Sequence, residues 1–362
     1  MKITIVAGAR PNFMKIAPLI RAISGRPECG IQFRLVHTGQ HYDENLSRIF
    51  FEELEIPSPD ANLAVGSGSQ AEQTGRIMIG FERDLVAHPP DLVVVVGDVN
   101  STMACAIVAK KLQVKVAHIE AGIRSFDFTM PEEVNRVVTD ALADLYFTTS
   151  TVAGANLIQS GVDPRKIYFV GNIMIDSLLW VRHRGGKRPV VFDQYSLLNK
   201  GYMVITLHRP SNVDDTNRIR EILEAIEAGI GDVPAVFPVH PRTAGVLKKA
   251  NWTPKHMILI EPLSYFEFVY LLEHARGVVT DSGGVQEETT VLGVPCITLR
   301  LNTERPETIS SGTNELVGDD LARLVVLLKS IKSGTWRKGT VPDLWDGQTA
   351  ERIVLALSEL KL

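Results

Sequence analysis

Short runs of β-branched and apolar residues alternate with longer stretches of helical period along nearly the whole chain. This is the pattern of parallel strands buried on both faces and joined by crossover helices. Strands are predicted at Lys2 to Val6, Gln32 to His37, Leu92 to Val96, Lys115 to Ile119, Leu145 to Thr148 and Lys166 to Val170. After Gly171-Asn172 a helical stretch, Ile173 to His183, leads into the Gly/Arg/Pro segment RGGKRP. The alternation then restarts, with strands expected at Met203 to Leu207, Ala235 to Val239, Met257 to Ile260, Gly277 to Thr280 and Cys296 to Leu299. The fold class is therefore α/β, with two Rossmann-like doubly wound domains over residues 1–172 and 173–347. An amphipathic helix from Ala350 to Leu362, carrying Ile353, Leu355, Ala356 and Leu360, closes the chain.

Ligands of such sheets collect at the carboxyl ends of the strands, so the residues there are weighed first. Val278 to Glu307 reads as strand, glycine-rich turn, helix and second strand. Ser282-Gly283-Gly284 lets a backbone approach closely while the helix from Val285 offers unpaired N–H groups, an arrangement suited to phosphate. An ordinary strand-to-helix turn has the same composition. Glu287 and Glu288 in the first helical turns would meet a sugar hydroxyl or merely complement the helix dipole. In the first half, the first strand runs into Gly8-Ala9-Arg10-Pro11 and a helix containing Lys15. This is not the GxGxxG fingerprint, so no NAD is called for. Arg10 and Lys15 suit a phosphate, or serve as solvated charges at a helix entry.

Glu120 ends a buried strand where neither turn chemistry nor capping needs a carboxylate, which favours function. Asp98 closes the run LVVVV and would also serve as a helix cap. Thr129-Met130-Pro131-Glu132 fits a capping box, with Glu132 four residues before Arg136. All three carboxylates sit at the ends of successive elements, where they could surround one substrate carbon. His208 and His240 stand at strand ends in the second half, as structural or as catalytic residues.

The totals narrow the choice of partner. A chain of 362 residues suits two domains, and a net charge of −4 removes the basic excess that nucleic acid or an anionic membrane would demand. MKITIVAG is too short for a signal-peptide core and no apolar run would span a bilayer, so a cytoplasmic address is expected. The 3 cysteines, Cys29, Cys105 and Cys296, are widely spaced, which argues against disulfides or a zinc site; no metal is expected.

GARPNFMK, GDVNST, HIEAGIRS, PEEVNR, TLHRPSN, TDSGGVQEE and NTERPE, in that order, closely resemble the non-hydrolysing UDP-N-acetylglucosamine 2-epimerases over nearly the whole chain. The resemblance implies a GT-B-like architecture with the active site in the inter-domain cleft, a final helix (348–362) crossing back onto the first domain, and a homodimer that needs no cofactor. It places the catalytic roles on Asp98, Glu120, Glu132 and His208, which overrides the capping reading of Glu132. It puts Arg10 and Lys15 near the diphosphate, Ser282, Gly283 and Gly284 on the phosphate, Glu288 on the ribose, Leu263 and Phe268 at uracil, and Arg305 elsewhere in the site. Three departures stand out. Asn12 replaces a glutamate common in the family, Pro210-Ser211-Asn212 lacks an acid before Asn, and GQHYDENL differs from the segment that in some members helps hold a second, activating UDP-GlcNAc.

The activity implied is reversible epimerisation of UDP-N-acetylglucosamine to UDP-N-acetylmannosamine, for surface polysaccharide precursors. The C2 hydrogen has no adjacent carbonyl, so the expected route is elimination of UDP through 2-acetamidoglucal and re-addition. Rival readings are a 2-epimerase of a UDP-2,3-diacetamido uronic acid, a hydrolysing 2-epimerase releasing ManNAc, a GT-B glycosyltransferase and a non-catalytic nucleotide-sugar sensor.

Overall fold

The computed structural model describes residues 1–40, 50–239, 241–249 and 252–360. His240, the Arg10 side chain, GQHYDENL beyond Gln40 and residues 361–362, which the expected final helix included, lie outside the described residues. The chain divides into two compact units, Met1–Ser177 with Asp343–Leu362, and Leu178–Pro342. Each is built on one sheet.

In the first unit the strands are β1 (Lys2–Ala7), β2 (Gln32–His37), β3 (Ala61–Asn62), β4 (Leu92–Val96), β5 (Lys115–Ile119), β6 (Leu145–Thr148) and β7 (Ile167–Phe169). They are ordered β3-β2-β1-β4-β5-β6-β7 and pair in parallel throughout. Every residue of LVVVV in β4 is buried, because helices cover both faces of the sheet. One cover is the helix Gln70–Ala87, which begins with a reciprocal Ser69/Glu72 capping box and buries Ile77, Phe81 and Leu85 against Val93 and Val95.

The second unit repeats the plan with β8 (Met203–Thr206), β9 (Ala235–Pro238), β10 (Met257–Ile260), β11 (Gly277–Thr280), β12 (Cys296–Thr298) and β13 (Asn314–Leu316), ordered β10-β9-β8-β11-β12-β13. Helix Thr216–Ile230, capped by Asp215 accepting from the Asn217 and Arg218 amides, lays Ile219, Ile222, Leu223 and Ile226 on Met203, Ile205 and Phe237. Strand order reverses between β1 and β4 and between β8 and β11, and at such switch points loops diverge to leave room for a ligand.

The expected strands are present, with shifts of a residue or two at their ends. Lys166 is withdrawn from β7 because Pro164–Lys166 forms a 3₁₀ turn capped by Asp163. The edge strands β3 and β13 were not expected, being too short and polar to show an apolar run. Among the described residues no helix is long and apolar enough to cross a membrane.

The terminal helix, Thr349–Ser358, belongs with the first unit. Its first amides donate to the buried Asp176 carboxylate, Thr349 at 3.2 Å and Ala350 at 2.7 Å, while Trp345 just before it donates its indole N–H to the Thr149 carbonyl at 3.0 Å. Burial pushes the Asp176 carboxyl up to about 6 even though these donors pull it down. Replacing Asp176 with Ala strands two helix-terminal N–H groups and is expected to cost about 1–3 kcal/mol. Hydrogen exchange should quicken first in residues 349–358; unchanged exchange there together with an unchanged melting temperature would disprove the capping role.

Candidate active site

Three strand ends of the first unit converge. After β1 the chain turns into helix Arg10–Ser24, held by Asn12: its Oδ1 accepts from the Gly8 and Ala9 amides (3.1 and 3.0 Å) and its Nδ2 donates to the Val96 carbonyl (3.0 Å). One turn further, the buried Lys15 ammonium forms an ion pair with Glu120 Oε2. Gly97, with φ of +70°, makes room for that pair. A Cβ on it would stand 3.0 Å from Lys15 Nζ and 3.3 Å from Glu120 Oε2.

Glu120 is itself left-handed, with φ of +71°, a conformation disfavoured for a residue bearing a side chain. Its amide and that of Ala121 both donate to the Phe147 carbonyl, at 3.0 and 3.1 Å, which ties the turn to β6. The other carboxylate oxygen, Oε1, is buried and has no hydrogen-bond partner among the described residues. A buried carboxylate with one oxygen neutralised and one lone pair idle is equipped to accept a proton.

A buried His–Asp pair fixes the turns on either side. His118 Nδ1 lies 2.6 Å from Asp140 Oδ1 and Nε2 lies 2.9 Å from the Gly97 carbonyl, so both ring nitrogens face acceptors. Asp140 Oδ2 accepts from the Gly122 amide at 3.0 Å and pairs with Arg124 at 2.6 Å. Burial works against this carboxylate's charge, but His118 and Arg124 outweigh it and hold Asp140 below the usual range. The pair thereby links the residue before Asp98 to the residue two after Glu120.

Helix Pro131–Leu142 supplies the rest, and it buries an unusual face: Glu133, Asn135, Arg136, Thr139 and Asp140. The capping-box expectation for Glu132 is corrected here. The residue before the helix is Met130, with no side-chain cap, and Glu132 is exposed. Arg136 pairs instead with Glu133 and, at 2.9 Å, with Asp98. Glu133 accepts from the Ser125 and Phe126 amides, both at 3.0 Å, and so is committed to the loop. Nor does Asp98 cap the helix Asn100–Lys111, which starts at Val99 without a side-chain cap. Asp98 and Glu120 are thus brought to one corner, and Arg136 ties the helix bearing Glu132 to it.

In the second unit, β11 ends at Thr280, and helix Gly283–Leu292 starts after an uncapped Ser282. Arg305 lies across this turn: a Cβ on Gly283 would be 2.6 Å from its Nη1. Its guanidinium meets Glu287 at 2.7 Å and Glu304 at 2.5 Å, and Glu304 also holds Arg300 at 2.6 Å, a buried set with two charges of each sign. Glu288, on the same helix, accepts from the Tyr265 hydroxyl at 2.9 Å. Ser282, Gly283, Gly284, Glu288 and Arg305 are therefore neighbours. Leu263 and Phe268 are half-buried against the core of this unit, flanking the Ser264-capped start of helix Tyr265–Glu273. His208, exposed, follows β8 and rests on Asp281 at 3.1 Å.

Sequence reading missed His118, Asp140, Glu133, Arg136 and Asp281. A signal existed for three of them, since charges at 133, 136 and 140 repeat at helical spacing, a stripe normally apolar on a buried face. Among the described residues no group of three or more His, Cys, Asp or Glu is arranged to hold a metal ion.

Two Rossmann-like sheets, one edged by buried carboxylates and the other by a glycine turn under an arginine, define a GT-B-like α/β protein of the nucleotide-sugar class. The family model described as UDP-N-acetylglucosamine 2-epimerase matches residues 22–358, and the chain belongs to that family. It is 42% identical over 369 residues to the UDP-N-acetylglucosamine 2-epimerase of Methanocaldococcus jannaschii, with 99% of each chain covered. A crystal structure of the M. jannaschii enzyme in complex with UDP-GlcNAc and UDP superposes with a TM-score of 0.88, covering 99% of both chains. The UDP-2,3-diacetamido-2,3-dideoxy-D-glucuronate 2-epimerase of Pseudomonas aeruginosa is 39% identical, over 99% of this chain and 100% of its own.

Burial, reinforced by Glu287, pushes the Glu288 carboxyl up to about 8, although the Tyr265 hydroxyl stabilises its anion. The folded protein then holds a proton that the unfolded chain releases near the ordinary value of about 4.3. Its contribution to stability is full below that value and is lost as pH rises towards 8, by about 1.4 kcal/mol per pH unit at most. Denaturant titrations from pH 5 to 9 should show this decline in the wild type relative to Glu288→Gln. Parallel curves would rule out a protonated Glu288.

Proposed function

We propose that the protein interconverts UDP-N-acetylglucosamine and UDP-N-acetylmannosamine, the groups of its first unit acting at C2 of the sugar and those of its second unit holding UDP. Membership of the family supports the substrate, as does a relative of full-length similarity bound to UDP-GlcNAc and UDP. The observation that carries the chemistry is Glu120: buried, paired with Lys15, fixed at a strained φ and left, among the described residues, with one oxygen unpartnered. A carboxylate removes the C2 proton while the C1–O bond to UDP breaks, leaving a C1=C2 double bond. UDP then re-adds at C1 as a proton reaches C2 from the opposite face. Inversion requires acid–base groups on both faces, the role given to Asp98, Glu120 and Glu132. In the second unit, the turn at Ser282, Gly283 and Gly284 with Arg305 stabilises the departing diphosphate, Glu288 holds the ribose, and Leu263 and Phe268 hold the base. Lys15 and Arg10 add positive charge, and His208 serves the reaction from the end of β8. A homodimer belongs to the same reading.

The Pseudomonas relative supports a second substrate, a UDP-linked 2,3-diacetamido uronic acid, by the same C2 chemistry. Supplied with each nucleotide sugar in turn, the enzyme should bring UDP-GlcNAc and UDP-ManNAc to equilibrium. Turnover confined to the uronic acid would transfer the proposal to that substrate, and release of free ManNAc would make the enzyme a hydrolase. Glu120→Gln should lower kcat about 10²- to 10⁴-fold while UDP still raises the melting temperature as in the wild type. Near-normal turnover in this variant would remove Glu120 from the chemistry.

A further inference from the structure

The Asp281 side chain is completely buried one residue before the phosphate turn, and among the described residues its oxygens bond to the segment after β8. Its oxygens accept from the His208 amide at 3.1 Å, the Arg209 amide at 3.0 Å and Asn212 Nδ2 at 3.0 Å, and Oδ1 stands 3.1 Å from His208 Nδ1. Arg209 Nε returns a bond to the Asp281 carbonyl at 3.1 Å. The strands beneath, β8 and β11, are paired Thr206 to Thr280, so both residues emerge from adjacent strand ends. Three N–H groups already donate to this carboxylate, and an acceptor oxygen 3.1 Å from Nδ1 favours the tautomer that carries its proton on that nitrogen. Among the described residues nothing is bonded to Nε2, and the His208 side chain is 58% exposed.

We propose that Asp281 is a positioning residue for His208. It holds the imidazole in the Nδ1–H tautomer and fixes its orientation, leaving Nε2 as the atom offered to the substrate, able to take a proton from it or return one. The same carboxylate locks the His208-Arg209 backbone, so the imidazole and the phosphate turn are placed by one buried group. This inference rests on the role given to His208 above.

The test is long-range ¹H–¹⁵N spectroscopy of histidine-labelled enzyme at alkaline pH, with the His208 signals assigned by their loss in His208→Gln. The expected result is a protonated Nδ1 and an unprotonated Nε2. An Nε2–H tautomer overturns the proposal, and this readout stands even if Asp281→Asn does not fold. Where that variant folds, it should lower kcat about 10- to 100-fold with little change in thermal protection by UDP. In a His208→Gln background the same substitution should have no further effect, whereas multiplicative losses would make Asp281 merely structural. Full activity in His208→Gln would withdraw His208 from the reaction and Asp281's role with it. That outcome differs from failure of the inference alone, in which His208→Gln is impaired but the wrong tautomer is found.

Discussion

A carboxylate at the end of a strand buried on both faces needs a partner close to it, and the first unit is arranged to bring Lys15 to Glu120. The ammonium comes from the first helix, whose start is held by Asn12. Space for the pair exists because residue 97 is glycine. Glu120 points there because its backbone is forced into the left-handed region by bonds to β6 and by the His118–Asp140 pair beside it. Removing one member of a buried pair costs about 3–5 kcal/mol, since the other charge is left without compensation. Each of these features is costly alone, and together they give one oxygen a fixed place and an idle lone pair.

The second unit meets a complementary demand. In the proposed reaction an anion is received where β11 ends, and there the helix start and Gly283 lie beside Arg305 without a net excess of buried positive charge, because Glu287 and Glu304 balance Arg300 and Arg305. Both sets of groups lie next to the points where strand order reverses, between β1 and β4 and between β8 and β11. The doubly wound topology explains this placement, since loops leaving neighbouring strands in opposite directions cannot cover the strand ends between them.

Much of this was legible in the sequence. The parallel strands announce themselves as apolar runs such as Leu92–Val96, and Glu120 is conspicuous because nothing local calls for it. Local rules failed at Glu132 and Asp98. Both obey capping statistics, yet the helix from Pro131 turns its charged face inward and Arg136 spends its donors on Glu133 and Asp98. Capping is decided within four residues, whereas this network joins positions nearly forty residues apart, which no periodicity reveals. His118 and Asp140 were hidden for the same reason, and β3 and β13 because two or three partly polar residues make no apolar run.

The central claim is that a protein carboxylate holds the C2 proton during inversion. A proton on a carboxylate exchanges with solvent, while a hydride carried by a nicotinamide does not. The direct measurement is the reaction of UDP-GlcNAc in D₂O, followed by NMR at C2 of the epimerised sugar. Deuterium at C2 of the first UDP-ManNAc formed is the predicted result, and product that keeps its original C2 hydrogen would contradict the account.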